Sequence, residues 1–248
     1  MISAIFSCMN REYNLAKGLP SWLKYEEIGD IVIVDWSSKT PLLDNEFLCG
    51  LMDNDPRIKL VRVRGEKVFN LAKSYNLAFK FTDPENKILL KLDCDYVSLN
   101  RGWVDNLELK GGELNKYFVT GVEHGTSPHF CGLMLVNKKD FLGYNENFQG
   151  WGYDDNDLYK RLHGNIDRRT FGGSPLQVRP RTQVYEFVHH IPHDDDLRVE
   201  NYEIKDREES HRYNESRSGS YWTPKIYRIL KRESQYVELE FFDTPFPE

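Results

Sequence analysis

Cysteine is sparse in this chain and poorly spaced for structural work: Cys8, Cys49, Cys94 and Cys131 occur without any Cys-x-x-Cys pair. Neither a zinc knuckle nor a disulfide framework is indicated, and a reducing, cytoplasmic compartment fits best. Also missing is an apolar run long enough to span a bilayer. The opening Met1-Ile2-Ser3-Ala4-Ile5-Phe6 is too short for a signal peptide and lacks its basic residues. The expectation is a soluble protein, with peripheral membrane contact through its tail left open. Basic charge is in deficit, 33 Lys and Arg against 39 Asp and Glu, for a net charge of -6 and a pI near 5.7. That balance argues against a general nucleic-acid binder, which would show a basic face. An acidic protein that handles a phosphorylated ligand needs a cation to offset repulsion. There is no internal repeat and no low-complexity linker. Ser7-Cys8-Met9-Asn10-Arg11, after the first apolar run, contains no glycine, whereas a nucleotidyltransferase would carry a glycine-rich, basic phosphate loop there.

What is present suits one compact domain of catalytic size: 248 residues, 40% hydrophobic and 13% aromatic. Ile2 to Ser7, Asp30 to Asp35, Ile58 to Val63 and Ile88 to Leu92 read as strands. Leu15, Leu19, Trp22 and Leu23 mark a helix after the first strand, and Leu71, Tyr75, Ala78 and Phe79 mark another over Phe69 to Phe81, with a loop between the second and third strands. This alternation predicts an α/β fold with a mostly parallel, Rossmann-like sheet flanked by helices. Further along, Tyr117 to Val122, Phe130 to Val136 and Val184 to Val188 read as strands, and a helix follows Tyr153. Asn201 to Ser220 is highly charged without a clear apolar face, so it reads as a surface helix or a mobile lid. Tyr221 to Phe246 returns to aromatic and aliphatic residues and is expected to pack back on the body.

The chemistry-bearing residues punctuate these elements. Ile88-Leu89-Leu90-Lys91-Leu92 ends at Asp93-Cys94-Asp95, and in open α/β sheets ligands bind beyond the carboxyl ends of the strands. Two carboxylates at i, i+2 suit a divalent cation, one ligating the ion and the other reaching a sugar hydroxyl or a metal-bound water. Taken alone, the same triplet reads first as an Asp-rich turn after a strand. Asp35 ends the second strand and would share the crevice with Asp93. In Gly150-Trp151-Gly152-Tyr153-Asp154-Asp155-Asn156-Asp157 the glycines permit a tight turn around Trp151, and the acids fall in the first turn of a helix, where its dipole favours them. Capping needs one acid rather than three. His189-His190-Ile191-Pro192-His193 beside Asp194-Asp195-Asp196 suits a metal ligand set or, on this segment alone, a solvated polar loop.

As an ordered set, Asp93-Cys94-Asp95, Phe130-Cys131-Gly132, Gly150 to Asp157 and His190-Ile191-Pro192-His193 resemble the GT-A glycosyltransferases, in particular the β-1,4-galactosyltransferases and the chondroitin-polymerase-like enzymes. Phe69-Asn70-Leu71-Ala72-Lys73 resembles that group's Phe-Asn-x-Ala-Lys segment. The likeness spans roughly residues 2 to 200, and it is the order of the motifs that is specific.

The resemblance implies a GT-A catalytic domain over residues 1–200, with a nucleotide-sugar half (1–98) and an acceptor half (99–200), and a lid and tail over 201–248 on the same domain. It implies Mn2+ or Mg2+ held by Asp95, His190 and His193, with His189 an alternative to His190. It further implies nucleotide-sugar contacts from Asn10, Arg11, Asp35, Asn70, Lys73, Asp93 and Trp151, Asp155 as general base, and Asp154 beside it in an acceptor-binding role. Leu71, Tyr153, Asp154 and Asn156 stand where the galactosyltransferases have Arg, Gly, Glu and Asp. The implied reaction is inverting transfer of a sugar from a nucleotide-diphosphate donor, UDP by analogy, to a hydroxyl of a glycan acceptor. Two alternatives are a catalytically inactive nucleotide-sugar or glycan-binding relative and a nucleotidyltransferase.

Overall fold

The computed structural model describes residues 1–121, 130–170, 187–193 and 201–242. In chain order the elements are β1 (Ile2–Cys8), α1 (Glu12–Trp22), β2 (Ile28–Trp36), α2 (Glu46–Asn54), β3 (Ile58–Arg64), α3 (Leu71–Lys80), β4 (Ile88–Asp93), β5 (Tyr96–Ser98) and α4 (Gly102–Asp105). There follow β6 (Leu109–Lys110), β7 (Glu113–Leu114), β8 (Tyr117–Thr120), β9 (Met134–Asn137), α5 (Asp154–His163), β10 (Asp167–Thr170), β11 (Val188–His190), α6 (Arg207–Glu215), β12 (Ile226–Arg232) and β13 (Tyr236–Phe242).

Among the described residues the central sheet runs β10-β8-β9-β4-β1-β2-β3-β13-β12. Its middle, β4-β1-β2-β3-β13, is parallel throughout. All seven residues of β1 are buried, as they must be in a strand covered on both faces. The alternation of its side chains sorts the core into two layers. Ala4 and Phe6 pack with Leu15, Leu19 and Trp22 of α1, while Ile5 packs with Ala72, Tyr75 and Ala78 of α3. This is the mostly parallel, helix-flanked sheet that the sequence implied.

Register then delivers the functional ends to one edge. Ser7 lies opposite Asp93 and Cys8 opposite Asp35, so β1, β2 and β4 finish side by side. In β4 the same two-residue period puts Leu90 and Leu92 on the α1 face and Leu89 and Lys91 on the α3 face, with Asp93 next in line after Lys91.

Several expectations are corrected in detail. The connection between β2 and β3 is not a loop: it contains α2, whose N-cap Asn45 accepts from the Leu48 amide at 3.1 Å. The strand expected over Phe130 to Val136 begins only at Met134, because residues 130–133 turn beside Asp93. Of the strand expected over Val184 to Val188, only the end is described, as part of β11; residues 184–186, like Val122, Asp194 to Asp196 and the tail beyond Phe242, lie outside the described residues. Within Asn201 to Ser220, expected as a surface helix or a mobile lid, the structure has the helix α6, docked by contacts given below.

The C-terminal strands belong to the central sheet. β13 inserts parallel to β3, pairing Tyr236 with Leu60 and Leu239 with Val63, and Leu239 is fully buried. Leu239→Ala should therefore lower the unfolding free energy by about 2 to 5 kcal/mol in urea titrations, as for a core leucine. A loss under about 0.5 kcal/mol, the range of a surface substitution, would show that the strand does not share the core.

Candidate active site and metal centre

The strand ends, the turn around Trp151 and α6 enclose a cleft of about 280 Å³, lined by Ser7, Arg11, Asp93, Asp95, Trp151, Asp154 and Asp155 among others. Of the five buried side-chain polar atoms without a hydrogen-bond partner among the described residues, three belong to side chains of this cleft: Ser7 Oγ, Arg11 Nη2 and Asp95 Oδ1. Buried polar groups are normally satisfied, so a cluster of orphans in one cleft points to a ligand that completes them.

One end of the cleft is a candidate metal centre. Asp95 Oδ2 lies 3.1 Å from His193 Nε2 and 3.7 Å from His190 Nε2. A ligand atom from each of the three can be chosen so that all lie within 4.8 Å of one another. Strand alternation decides between the neighbouring imidazoles: Val188 and His190 face inward from β11, whereas His189 is exposed. His190 packs against the rings of Tyr96 and Phe130, at centroid distances of 6.1 and 6.4 Å. The Ile191 amide donates to the Asp95 carbonyl at 2.8 Å, which pins the histidine loop to the Asp-x-Asp turn. Two imidazoles and a carboxylate are a donor set for manganese or a similar ion, and the unpartnered Asp95 Oδ1 fits that role. Arg11 Nη1, 3.2 Å from Asp95 Oδ2, brings a fixed cation to the same place.

The other end gathers carboxylates. Asp93 Oδ1 accepts from Tyr75 Oη at 2.9 Å and from Lys91 Nζ at 3.1 Å. Lys91 Nζ also reaches Asp155 Oδ1 at 3.3 Å, and Tyr144 Oη donates to that oxygen at 2.8 Å. Lys91 is fully buried, with its ammonium 4.5 Å from the centroid of the Tyr75 ring. Burial works against its charge, and Asp155 and Asp93 more than offset it, so Lys91 titrates above the usual lysine range. Burial likewise pushes the phenols of Tyr75 and Tyr144 well up, which keeps them neutral donors. Gly132 is explained by space: a Cβ there would sit 2.0 Å from Asp93 Oδ2.

The Trp151 turn is held from outside. Gly150 and Gly152 adopt φ of 69° and 119°, left-handed backbone that glycine tolerates and other residues resist. Ser210 of α6 accepts from the Trp151 amide at 2.7 Å and donates to the Gln149 carbonyl at 3.1 Å. Asn214, one turn on, accepts from the Gln149 amide and donates to the Gly152 carbonyl, at 2.9 and 2.7 Å. Both side chains are fully buried. The helix thus docks through hydrogen bonds, which is why its sequence shows no apolar face. Arg207 of α6 stacks on the Trp151 ring at 4.2 Å. Tyr153, where the galactosyltransferases have glycine, has φ of 71° and carries its strain with its ring edge on His211, 5.0 Å between centroids.

Not every residue singled out in the sequence lines the cleft. Asp35 is fully buried, its oxygens accepting from the amides of Ser38 and Leu42 and from the Arg62 guanidinium. Asn70 caps α3 through the Lys73 amide and ties it to the Phe148 carbonyl. The Lys73 side chain is half-buried away from the lining, and Asn10 braces the rim through the Ser38 hydroxyl, the Lys39 amide and Asn201. Sequence reasoning passed over Lys91, Tyr75, Tyr144 and Ser7. A lysine two residues before an acid in an otherwise apolar strand is the signal that could have found the first of them.

Residues 120–189 match the family described as the N-terminal domain of galactosyltransferase. No curated protein sequence matches the chain. Among solved structures, the catalytic domain of Drosophila beta1,4galactosyltransferase 7 in complex with xylobiose is similar at a TM-score of 0.60 and 15% identity, over 97% of this chain and 92% of that one. Mannosyltransferase PcManGT from Pyrobaculum calidifontis, in complex with GDP-Man and Mn2+, gives 0.53 and 13% over 68% and 54%. Glucosyl-3-phosphoglycerate synthase from Mycobacterium tuberculosis, with Mn2+, UDP and phosphoglyceric acid, gives 0.52 and 12% over 93% and 83%. The chain has the GT-A fold and resembles the β-1,4-galactosyltransferase group. No helix among the described residues is long and apolar enough to cross a membrane.

Asp154 gives the cleft a measurable signature. Burial, with a further push from the Asp155 charge, raises its carboxyl from 3.8 to about 8. The folded state then binds a proton that the unfolded chain releases near pH 4. The stabilisation is complete at low pH and disappears as pH rises towards 8, at up to about 1.4 kcal/mol per pH unit. Asp154→Asn removes this dependence, so its unfolding free energy relative to the parent should climb steadily between pH 5 and pH 8 in urea titrations. A constant difference across that range would contradict the assignment.

Proposed function

We propose that the chain is a metal-dependent, inverting glycosyltransferase that moves a sugar from a nucleotide-diphosphate donor to a hydroxyl of a glycan acceptor. The observation that carries this reading is that Asp95 lines one cleft with Asp93, Asp154 and Asp155 and is itself clustered with His190 and His193. Likeness to enzymes crystallised with Mn2+ and UDP-Gal or UDP supports it, and a UDP-sugar is the donor proposed by that analogy. The four unpaired cysteines support the reducing, cytoplasmic setting that goes with it.

In this reading Asp95, His190 and His193 hold Mn2+ or Mg2+. A divalent ion there supplies Lewis-acid stabilisation of the charge that collects on the departing diphosphate. Arg11 offers its unpartnered Nη2 to the same phosphates, and Asp93 accepts a hydrogen bond from a donor hydroxyl. Asn10 shapes the rim against which the nucleotide lies, while Asp35, Asn70 and Lys73 fix the loops behind it. Trp151 forms the floor where donor and acceptor meet. Asp155 accepts protein hydrogen bonds on Oδ1, and its Oδ2 takes the proton of the acceptor hydroxyl as that oxygen attacks the anomeric carbon from the face opposite the leaving group. One displacement with one base inverts the centre. Asp154, protonated at neutral pH, donates a hydrogen bond to the acceptor.

Thermal shift with a panel of nucleotide sugars tests the donor side. The melting temperature should rise with Mn2+ and a UDP-sugar together, by the equivalent of about 2.7 kcal/mol at a hundredfold excess over Kd, and His193→Ala or Asp95→Asn should abolish the rise. Asp155→Asn should keep it while losing about 10² to 10⁴ in turnover, read as UDP release. Normal turnover by Asp155→Asn would remove Asp155 as the base. A Mn2+-dependent shift without turnover by the parent protein would instead mark a binding relative.

A further inference from the structure

Lys91 lies beneath the carboxylate end of the cleft. Its ammonium is fully buried and bridges Asp93 Oδ1 at 3.1 Å and Asp155 Oδ1 at 3.3 Å, across 64 residues of sequence in the second case. The ammonium lies over the rings of Tyr75 and Tyr144, 4.5 and 5.9 Å from their centroids. A strand position facing the apolar α3 layer is a costly place for a cation, and a purely architectural role there would be filled as well by leucine or methionine. The arrangement gains something specific instead. Burial, with a further push from the Asp93 charge, raises the Asp155 carboxyl above the usual carboxylate range, and Lys91 is the strongest pull against that rise. Asp155 faces Lys91 and Asp93 from β4, Tyr144 from the preceding loop and Asp154 on its own helix, with Tyr96, Cys131 and Tyr159 in electrostatic reach. Of these groups Lys91 is the one cation, set among the carboxyl groups of Asp93, Asp154 and Asp155.

We propose that Lys91 is a positioning residue for the transfer step: its ammonium holds Asp155 as a carboxylate, directs Oδ1 inward so that Oδ2 meets the acceptor, and links this base to the donor-side carboxylate Asp93. Asp154, beside it but with no lysine contact, keeps its proton, so two adjacent aspartates take opposite roles. The division of labour between them is set from β4, not from their own helix. This rests on the reading of Asp155 as the base.

Lys91→Met tests it. With the charge gone, Asp155 is held protonated at neutral pH. Turnover at pH 7 should fall about 10- to 100-fold with the donor KM unchanged within about threefold, and the acid limb of the kcat profile should move up by about 1 to 3 pH units, so that activity recovers in alkaline buffer. A loss that is the same at every pH means that Lys91 only supports the fold, and it overturns the proposal, as does a parental profile. A second measurement needs neither turnover nor the variant. The Asp155 carboxyl resonance, assigned by its absence from the 13C spectrum of Asp155→Asn, should be that of a carboxylate at pH 7 in the parent protein. A protonated Asp155 there overturns the proposal even if Lys91→Met fails to fold. Absence of sugar transfer by the parent with every donor would defeat the functional reading alone, and the carboxyl resonance would still decide what Lys91 does.

Discussion

A lysine sealed inside the central sheet is the interaction on which the carboxylate end of the cleft depends. Removing an ammonium from water costs several kcal/mol even after the protein relaxes around it, and the cost is offset only by close, well-directed counter-charges. β4 supplies one through its own periodicity, since Lys91 and Asp93 are two residues apart and share a face. α5 supplies the other from its first turn, where the helix dipole also favours a carboxylate. The neighbouring carboxyl of Asp154, raised to about 8, relieves the remaining crowding by keeping a proton. Two solutions to the same electrostatic problem, a buried cation and a retained proton, stand side by side on consecutive residues.

The opposite end follows a different logic. Asp95, His190 and His193 come from two segments nearly a hundred residues apart, and the short ladder between β5 and β11 sets their relation. Because that ladder alternates faces, moving the register by one residue would exchange His190 for His189. Between the two ends, the turn around Trp151 is braced by α6 through Ser210 and Asn214. A brace made of a few hydrogen bonds and little apolar area is well defined in direction yet modest in strength. It therefore couples the geometry of the cleft to a helix that the core does not fix.

The parts that were legible in the sequence are those where local pattern and global packing agree. Continuous apolar runs marked β1, β2 and β4, and the acids at the ends of β2 and β4 marked one edge of the sheet, because a strand buried on both faces carries most of its polar residues near its tips. Lys91 was hidden by the same rule: in a run buried on both sides, periodicity does not say that one member is charged for a reason. α2 was missed because Gly50, Asp53 and Asn54 dilute its helical signal and only Leu48 is buried along it. α6 could be read only as a surface helix or a mobile lid, because docking by serine and asparagine resembles solvation in a sequence. Asp35 and Asn70 carried the right chemistry for a ligand, but their side chains close a loop and cap a helix, a use that spacing alone does not distinguish.

The place of β13 has a consequence for how the molecule is made. Its pairing partner β3 precedes it by about 176 residues, and Gln235, just before the strand, reaches back with its side-chain amide to the carbonyl of Met52, 183 positions earlier. During synthesis the first three strands and their helices emerge early, yet one side of β3 has no ladder partner until residues beyond 236 leave the ribosome. Until then it is an open β edge in the most apolar part of the nascent chain, available to any other extended segment. Pairing across so long a stretch closes slowly, so the late arrival of β13 governs when the first half of the sheet stops being adhesive.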